Sequence, residues 1–318
     1  MPWSPIATSS LRQRRPIMSM ASPQAPHAGE SRSIDPRTTV GTVHLTVRDL
    51  DRSRAFYERA LGLVATESED GTIALGPGIS GAPPLVTLRG DASAPALDRR
   101  ATGLFHMAIL MPARRDLAVA LARLVQARWP LDGASDHLVS EALYLSDPDG
   151  NGIEIYRDRP RDEWPRRDGT LEMATLPLDL DGLVSELDSV SELSATVPAG
   201  TTMGHVHLQV GDLAATERFY SGVLGFDVVV RTYPGALFVS AGGYHHHLGL
   251  NVWNSRGGAR PTDGAIGLRH YEVRLPDAAS LEIVLGRIAD AGLPVSSVDG
   301  GSLVRDPAGI GVLLRVAG

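Results

Sequence analysis

The chain contains no cysteine and no lysine. Without cysteine it can form neither a disulfide nor a thiolate metal site, so any metal has to be held by histidines and carboxylates. All 30 basic residues are arginine, against 37 acidic ones, and the formal net charge is −7. That balance disfavours nucleic acid or an anionic membrane surface as a partner. The missing lysine reads as the codon usage of a GC-rich genome rather than as function. Long apolar runs are missing too, and none approaches the ~18 residues of a membrane span. What remains is a 318-residue chain, 43% hydrophobic and 21% charged, ordinary for a soluble globular protein and long enough for two domains.

Residues 1–39 are rich in Ser, Pro, Ala and Arg, show no hydrophobic periodicity and are expected to be a disordered arm. Arg12-Gln13-Arg14-Arg15 is not followed by an apolar core, which disfavours a signal peptide. Met18 and Met20 are alternative starts, and a cytoplasmic location is the default expectation. Residues 161–200, with Trp164, Pro165, Pro177 and Pro198, read as an interdomain linker with a short helix near 181–188.

An internal repeat organises the rest. Gly41-Thr42-Val43-His44-Leu45-Thr46-Val47-Arg48-Asp49-Leu50 and the following Ala55-Phe56-Tyr57 return as Gly204-His205-Val206-His207-Leu208-Gln209-Val210-Gly211-Asp212-Leu213 and Arg218-Phe219-Tyr220. A weaker pair is Gly103-Leu104-Phe105-His106 and Gly267-Leu268-Arg269-His270. Asp147-Pro148-Asp149-Gly150 matches Asp306-Pro307-Ala308-Gly309. Each unit opens on an alternating strand, with His44, Thr46 and Arg48 on one face and Val43, Leu45 and Val47 on the other. A helix follows, with Asp49 or Asp51 as N-cap, a stripe of Phe56, Ala60 and Leu61, and Gly62 at its end. About three short strands complete the unit.

The densest motif is Asp136-His137-Leu138-Val139-Ser140-Glu141-Ala142-Leu143-Tyr144, continuing through Asp147-Pro148-Asp149-Gly150 to Gly152-Ile153-Glu154-Ile155-Tyr156. Glu154 sits in an apolar strand, where a carboxylate is costly unless paired or bound to a metal. The order His, apolar-Tyr, Asp-Pro-x-Gly, Glu at this spacing resembles the ring-cleavage signature of extradiol dioxygenases. It departs at Ser135, where that family prefers Gly, Asn, Thr, Ile or Val. Over residues 40–318 the four units resemble the vicinal oxygen chelate (glyoxalase/bleomycin-resistance/dioxygenase) superfamily. Gly152 to Pro160 and Gly243 to Asn251 are most similar to its CatE-type catechol-2,3-dioxygenase group.

The resemblance implies an α+β fold of tandem βαβββ units, forming two paired-unit domains with cupped mixed sheets. The expected domains are an N-terminal pair at 40–160 and a C-terminal pair at 201–318. It also implies that His44, His106 and Glu154 ligate one metal, with His137 and Tyr144 beside the substrate. Two imidazoles and one carboxylate form the set that leaves open positions on Fe(II), with Mn(II) or Zn(II) as alternatives. The C-terminal half offers a rival site at His207, His270 and Glu272, because Leu313 stands where Glu154 would be. His246, in the run His245-His246-His247, resembles the family's acid/base histidine, and the first half has only Pro84-Leu85-Val86-Thr87-Leu88 there. The implied partners are a small aromatic diol and O2, and a homodimer is left open. The implied activity is extradiol ring cleavage. The alternatives are a glyoxalase-type metal-dependent lyase or isomerase, or a non-catalytic small-molecule-binding protein. Residues 84–89 carry no carboxylate to serve as the fourth protein ligand of a glyoxalase-type site, which favours the dioxygenase.

Overall fold

A computed structural model describes residues 33–68, 70–187 and 196–318. The first unit comprises β1 (Thr39–Val47), α1 (Leu50–Arg59), β2 (Val64–Glu67), β3 (Ile73–Gly76) and β4 (Val86–Gly90). The second comprises β5 (Gly103–Leu110), α2 (Arg114–Gln126), β6 (Gly133–Asp136), β7 (Ser140–Ser146) and β8 (Gly152–Asp158). Between the halves lie three two-residue strands, β9 (Arg166–Arg167), β10 (Thr170–Leu171) and β11 (Leu176–Pro177), and the helix α3 (Leu180–Val184). The third unit comprises β12 (Thr202–Gln209), α4 (Leu213–Glu217), which runs on into a π-helical turn, β13 (Asp227–Val230), β14 (Ala236–Ser240) and β15 (Leu248–Asn251). The fourth comprises β16 (Gly267–Leu275), α5 (Ala278–Asp290), β17 (Val295–Val298), β18 (Gly301–Arg305) and β19 (Gly311–Val316).

The same local chemistry starts most of these helices. The side chains of Asp49, Asp212 and Asp277 accept from the backbone N–H three residues on, at 2.9 Å in each case. Of the two cap candidates in the first unit it is therefore Asp49 that acts. The turn aspartates are more than turn formers. Asp147 accepts from Asn151 N and Nδ2 and from the Tyr57 hydroxyl, and Asp306 accepts from Ile310 N and the Tyr220 hydroxyl. These bonds fasten the first helix to the second unit and the third unit's helical turn to the fourth.

The α+β architecture of four βαβββ units and two mixed sheets is as expected. The pairing of the units is not. One sheet runs β17-β18-β19-β16-β1-β4-β3-β2 and the other β11-β6-β7-β8-β5-β12-β15-β14-β13. The first unit therefore shares a sheet with the fourth, and the second with the third. Each join is antiparallel between opening strands: His44 faces His270 across β1 and β16, and His207 faces His106 across β12 and β5. The expected N-terminal and C-terminal pairs, which would have joined β1 to β5 and β12 to β16, are not formed.

Two further expectations change. Of the arm at 1–39, residues 1–32 lie outside the described residues, but within 33–39 Ile34 and Thr38 are buried. Ile34 is 4% exposed in the core, its N–H donates to Gly225 O at 2.7 Å, and the Ser33 hydroxyl donates to Asp227 at 2.7 Å. The segment at 161–200 does contain a helix, but its β11 pairs with β6 and extends the second sheet, so it is part of the fold as well as a connection. Residues 188–195 lie outside the described residues. Removing most of the Ile34 side chain leaves a buried void, so Ile34→Ala should lower unfolding free energy by about 2–4 kcal/mol. Urea titration checks this, and an unchanged midpoint would show that the segment does not pack in solution.

Candidate functional site

The predicted trio is split between the sheets. His44 lies beside Glu272 and stacks on His270, with ring centroids 4.1 Å apart. His106 and Glu154 lie together in the other sheet, with Nε2 to Oε2 at 3.0 Å. The reason is the strand pairing: β5 has β8 on one side and β12 on the other, so its histidine meets the third unit and never β1. The rival set is split in the same way, with His270 and Glu272 on β16 and His207 on β12.

A cavity of ≈ 210 Å³ opens where β5 meets β12, and a cavity of about 150 Å³ is enough to hold benzene. His106, Glu154, His207, His246, His137 and Tyr144 all line it. Two of the sequence-derived candidates from opposite halves, His246 and Glu154, thus face the same space. The remaining wall is apolar and aromatic, with Phe105, Phe238, Tyr233 and Trp253. Met173, Ala174 and Thr175 of the intervening segment close another side. Sequence reasoning treated these three as linker; the only signal was the run of apolar residues from Leu171 through Met173 to Leu178.

Glu154 is 2% exposed and has no arginine near it among the described residues. Instead His106 Nε2 and His205 Nε2 approach Oε2 at 3.0 and 3.1 Å. Burial alone would raise this carboxyl, but the adjoining His205 and His106 hold it well below the usual carboxylate range. His106, Glu154 and His205 could hold a cation between them. His207 stands opposite His106, with ring centroids 4.9 Å apart and a buried Nε2 that has no partner; the His106 Nε2 also lacks a satisfactory hydrogen bond. His205 was missed from sequence because its repeat equivalent is Thr42. The His207 ring fits because of Gly249, its neighbour on β15: a Cβ there would meet the imidazole at 2.8 Å.

The cavity's hydrogen bonds fix proton positions. His137 Nδ1 is 2.7 Å from Ala174 O, which can only accept, so Nδ1 carries the proton. Its Nε2, 2.7 Å from the Tyr144 hydroxyl, is left to accept. Burial, then the Glu154 charge, pushes the Tyr144 phenol well above its usual range. Leu138 follows His137 at φ 69, a left-handed conformation that is strained for leucine. Its N–H donates to Asp136 Oδ1 at 2.8 Å, and the tight turn presents His137 to the cavity.

A second chain of bonds runs behind His246. His245 Nε2 donates to Asp158 Oδ1 at 2.8 Å, and the two Nδ1 atoms of His245 and His246 are 2.8 Å apart. With its proton committed to Asp158, neutral His245 must accept at Nδ1. His246 therefore donates from Nδ1 and keeps Nε2 unprotonated. Burial, reinforced by the neighbouring imidazoles, lowers the His246 pKa well below its ordinary value. His207 is lowered by burial in the same way.

A family model describing the Glyoxalase/Bleomycin resistance protein/Dioxygenase superfamily matches residues 39–155 and 202–313. The chain belongs to this superfamily. Within it, the catechol-2,3-dioxygenase of Bacillus subtilis (strain 168) is 44% identical over 279 residues, covering 86% of this chain and 96% of the relative. A solved structure of a candidate dioxygenase from Bacillus subtilis subsp. subtilis strain 168 superposes with a TM-score of 0.61 at 17% identity, over 88% of this chain and 86% of that one. Glyoxalase I of Zea mays superposes with a TM-score of 0.52 at 17% identity, over 87% and 92%. At such identities these two structures share the superfamily fold and support nothing finer.

The buried imidazoles make stability depend on pH. Burial lowers His247 and His270 to about 3 each, against about 6.5 in an unfolded chain. Below pH ~6.5 the unfolded chain binds protons that the folded chain refuses, so stability is complete above that pH and is lost as pH falls towards 3. At pH 5 the loss is about 2 kcal/mol for each imidazole. Asp306, raised by burial to about 6, works in the opposite sense and returns about 1 kcal/mol over the same interval. His205, lowered by burial to about 4, and His207 and His246 act in the same direction, so metal-free protein should be less stable at pH 5 than at pH 7.5 by at least about 2 kcal/mol in urea titrations. An equal midpoint at both values would contradict it.

Proposed function

We propose that the chain is an extradiol ring-cleavage dioxygenase that opens a catechol-like aromatic diol with O2 beside its two hydroxyls. The observation that carries this reading is the meeting of His106, His207, Glu154, His246, His137 and Tyr144 around one ring-sized aromatic cavity. The 44% identical relative named catechol-2,3-dioxygenase supports it.

The donor set suits a divalent cation. The Nε2 atoms of His106 and His207 are buried without a hydrogen bond, and Glu154 is ionised with no guanidinium on it. His106, His207 and Glu154 would hold the metal, and two imidazoles with one carboxylate make Fe(II) the first candidate, ahead of Mn(II) or Zn(II). His205 is the closer neighbour of Glu154 but does not line the cavity, so its role is to donate to the carboxylate and orient it. When bound, the metal supplies positive charge that eases ionisation of the diol and a template for both reactants.

The protein's own groups supply the rest. Phe105, Phe238 and Trp253 form an apolar slot for the ring and keep water away from it. His246 Nε2 takes the proton of a substrate hydroxyl, and the bonds through His245 to Asp158 keep that nitrogen unprotonated beforehand. Tyr144 stays protonated, donates its hydroxyl hydrogen to His137 Nε2 and presents its oxygen to the cavity as an acceptor. Both atoms of O2 end in the opened product, so the reaction needs no external reductant. A glyoxalase-type site lacks support here as well, because the stretch from His246 to Asn251, which pairs with β12, contains no carboxylate.

Glu154→Gln and His207→Ala should each strip iron from anaerobically purified protein and abolish ring opening, read by metal analysis and product absorbance. His44→Ala should leave both unchanged. The reverse pattern, with His44 required and His207 dispensable, would overturn the assignment. His246→Ala should keep its iron but lose about 10²–10⁴ in kcat. Asp158→Asn should lower kcat by about tenfold or more with KM nearly constant, because the amide no longer fixes the His245 tautomer. Full activity in both variants would remove the proton-transfer role.

A further inference from the structure

The other sheet keeps the counterpart of this site, with its charge reversed. His44 and His270 face each other as His207 and His106 do. Leu313 stands at the position equivalent to Glu154, and Arg269 at the position equivalent to Phe105. We propose that the cavity over these strands binds a small organic anion, a carboxylate carrying an apolar body.

The cavity is ≈ 590 Å³ and draws on β1, β4, β16, β17 and β18, with the starts of β5 and the end of β12. Arg89, Arg260, Arg269 and Arg305 line it. Among the described residues, neither Arg89 nor Arg269 reaches a carboxylate at ion-pair distance. Arg269 is half-buried; burial and then the neighbouring Arg89 charge lower its pKa, outweighing the charges of Asp299 and Asp70, neither of which reaches it at ion-pair distance. His270, 4% exposed, lines the same space with an Nε2 that has no partner. The hydroxyl of Thr46 and the amide of Gln209, both buried, lie in the wall as further donors. Three carboxylates also line the wall, Asp91 accepting from Ser93, Asp98 from the Arg100 N–H and Asp263 facing Arg260, so the four arginines leave an excess of one positive charge.

A cation does not fit here. His44, His270 and Asp299 are close enough together to suggest one. The buried carboxylate beside them, Glu272, is already held by Arg274 at 2.6 Å and Arg315 at 3.4 Å. Arg269 adds a further positive charge, so the electrostatic balance favours a negative guest. Unpaired guanidinium groups present a planar fork matched to a carboxylate. Part of the remaining surface is apolar, from Leu97, Leu104, Ile266, Leu303 and Ile310, which suits a body attached to that carboxylate.

Calorimetric titration of the full-length protein tests this with benzoate, benzyl alcohol and inorganic phosphate as probes. Benzoate should bind saturably and more tightly than either of the others. Arg269→Gln and, separately, Arg89→Gln should weaken it by about tenfold or more, since each removes a charge-assisted hydrogen bond. The ring-sized cavity of the other sheet contains no arginine, so loss in these variants localises the binding. Arg89 is exposed, which keeps the test valid should Arg269→Gln fold poorly. Unchanged benzoate affinity in both variants, equal binding of benzyl alcohol or phosphate, or no saturable benzoate heat would each overturn the proposal.

Discussion

The whole site depends on one antiparallel ladder, that between β5 and β12. These are the opening strands of the second and third units, one from each half of the chain. In their register His106 stands directly across from His207. On the far side of β5, the parallel strand β8 places Glu154 beside Ala108, and on the far side of β12, β15 follows directly on from His246. A slip of one residue in the ladder would send the histidines to the opposite face of the sheet, away from Glu154. The register is held by burial on both sides, since Met107, Ile109, Val206 and Leu208 are all essentially inaccessible to solvent.

The pairing was illegible in the sequence for a reason that lies in the repeat itself. Each opening strand has the same alternation and the same histidine, so any two of them can make the same ladder. Nothing local separates a pairing of β1 with β5 from a pairing of β1 with β16. What the sequence does show are the parts decided within a unit: the opening strands, the aspartate caps, the turn at Asp147 and the buried setting of Glu154. The individual histidines at 44, 106, 207 and 270 were visible, and so was His246 as a candidate. Their grouping is a long-range property, set by which units share a sheet. Cross-unit bonds such as Tyr57 to Asp147 join the first and second units through a helix rather than a ladder, so the two sheets are tied together by more than chain connectivity. The segment at Met173–Thr175 was opaque because it contributes to the site through backbone position, with Ala174 O orienting His137, and no side-chain pattern announces that.

The two sheets also show how a buried carboxylate is compensated in two ways. Glu154 and Glu272 are each 2% exposed. Glu272 is held by Arg274 and Arg315, a fixed compensation that leaves it no free capacity. Glu154 has imidazoles and the Tyr144 phenol around it and, among the described residues, no guanidinium, a soft compensation that a cation can replace. The difference separates a structural carboxylate from one able to ligate, even though both sit beside a pair of facing histidines.

Charge balance then limits what the ring-sized cavity can accept. Glu154 is the only carboxylate in its wall, and no arginine lines it. Burial keeps His207 and His246 neutral, so they add no positive charge of their own. A divalent cation on a single carboxylate leaves one positive charge in a space where uncompensated charge is costly. A singly ionised diol cancels it. A neutral guest would leave the excess, and a doubly ionised one would reverse it unless a neighbouring base kept one proton. His246, with Nε2 free and Nδ1 committed to His245, is placed to take up one proton and to hold it until the product needs it. On the proposed reading, the tautomer chain to Asp158 and the scarcity of charged groups in the cavity wall are parts of the same constraint, which would favour a singly ionised ligand over a neutral aromatic one.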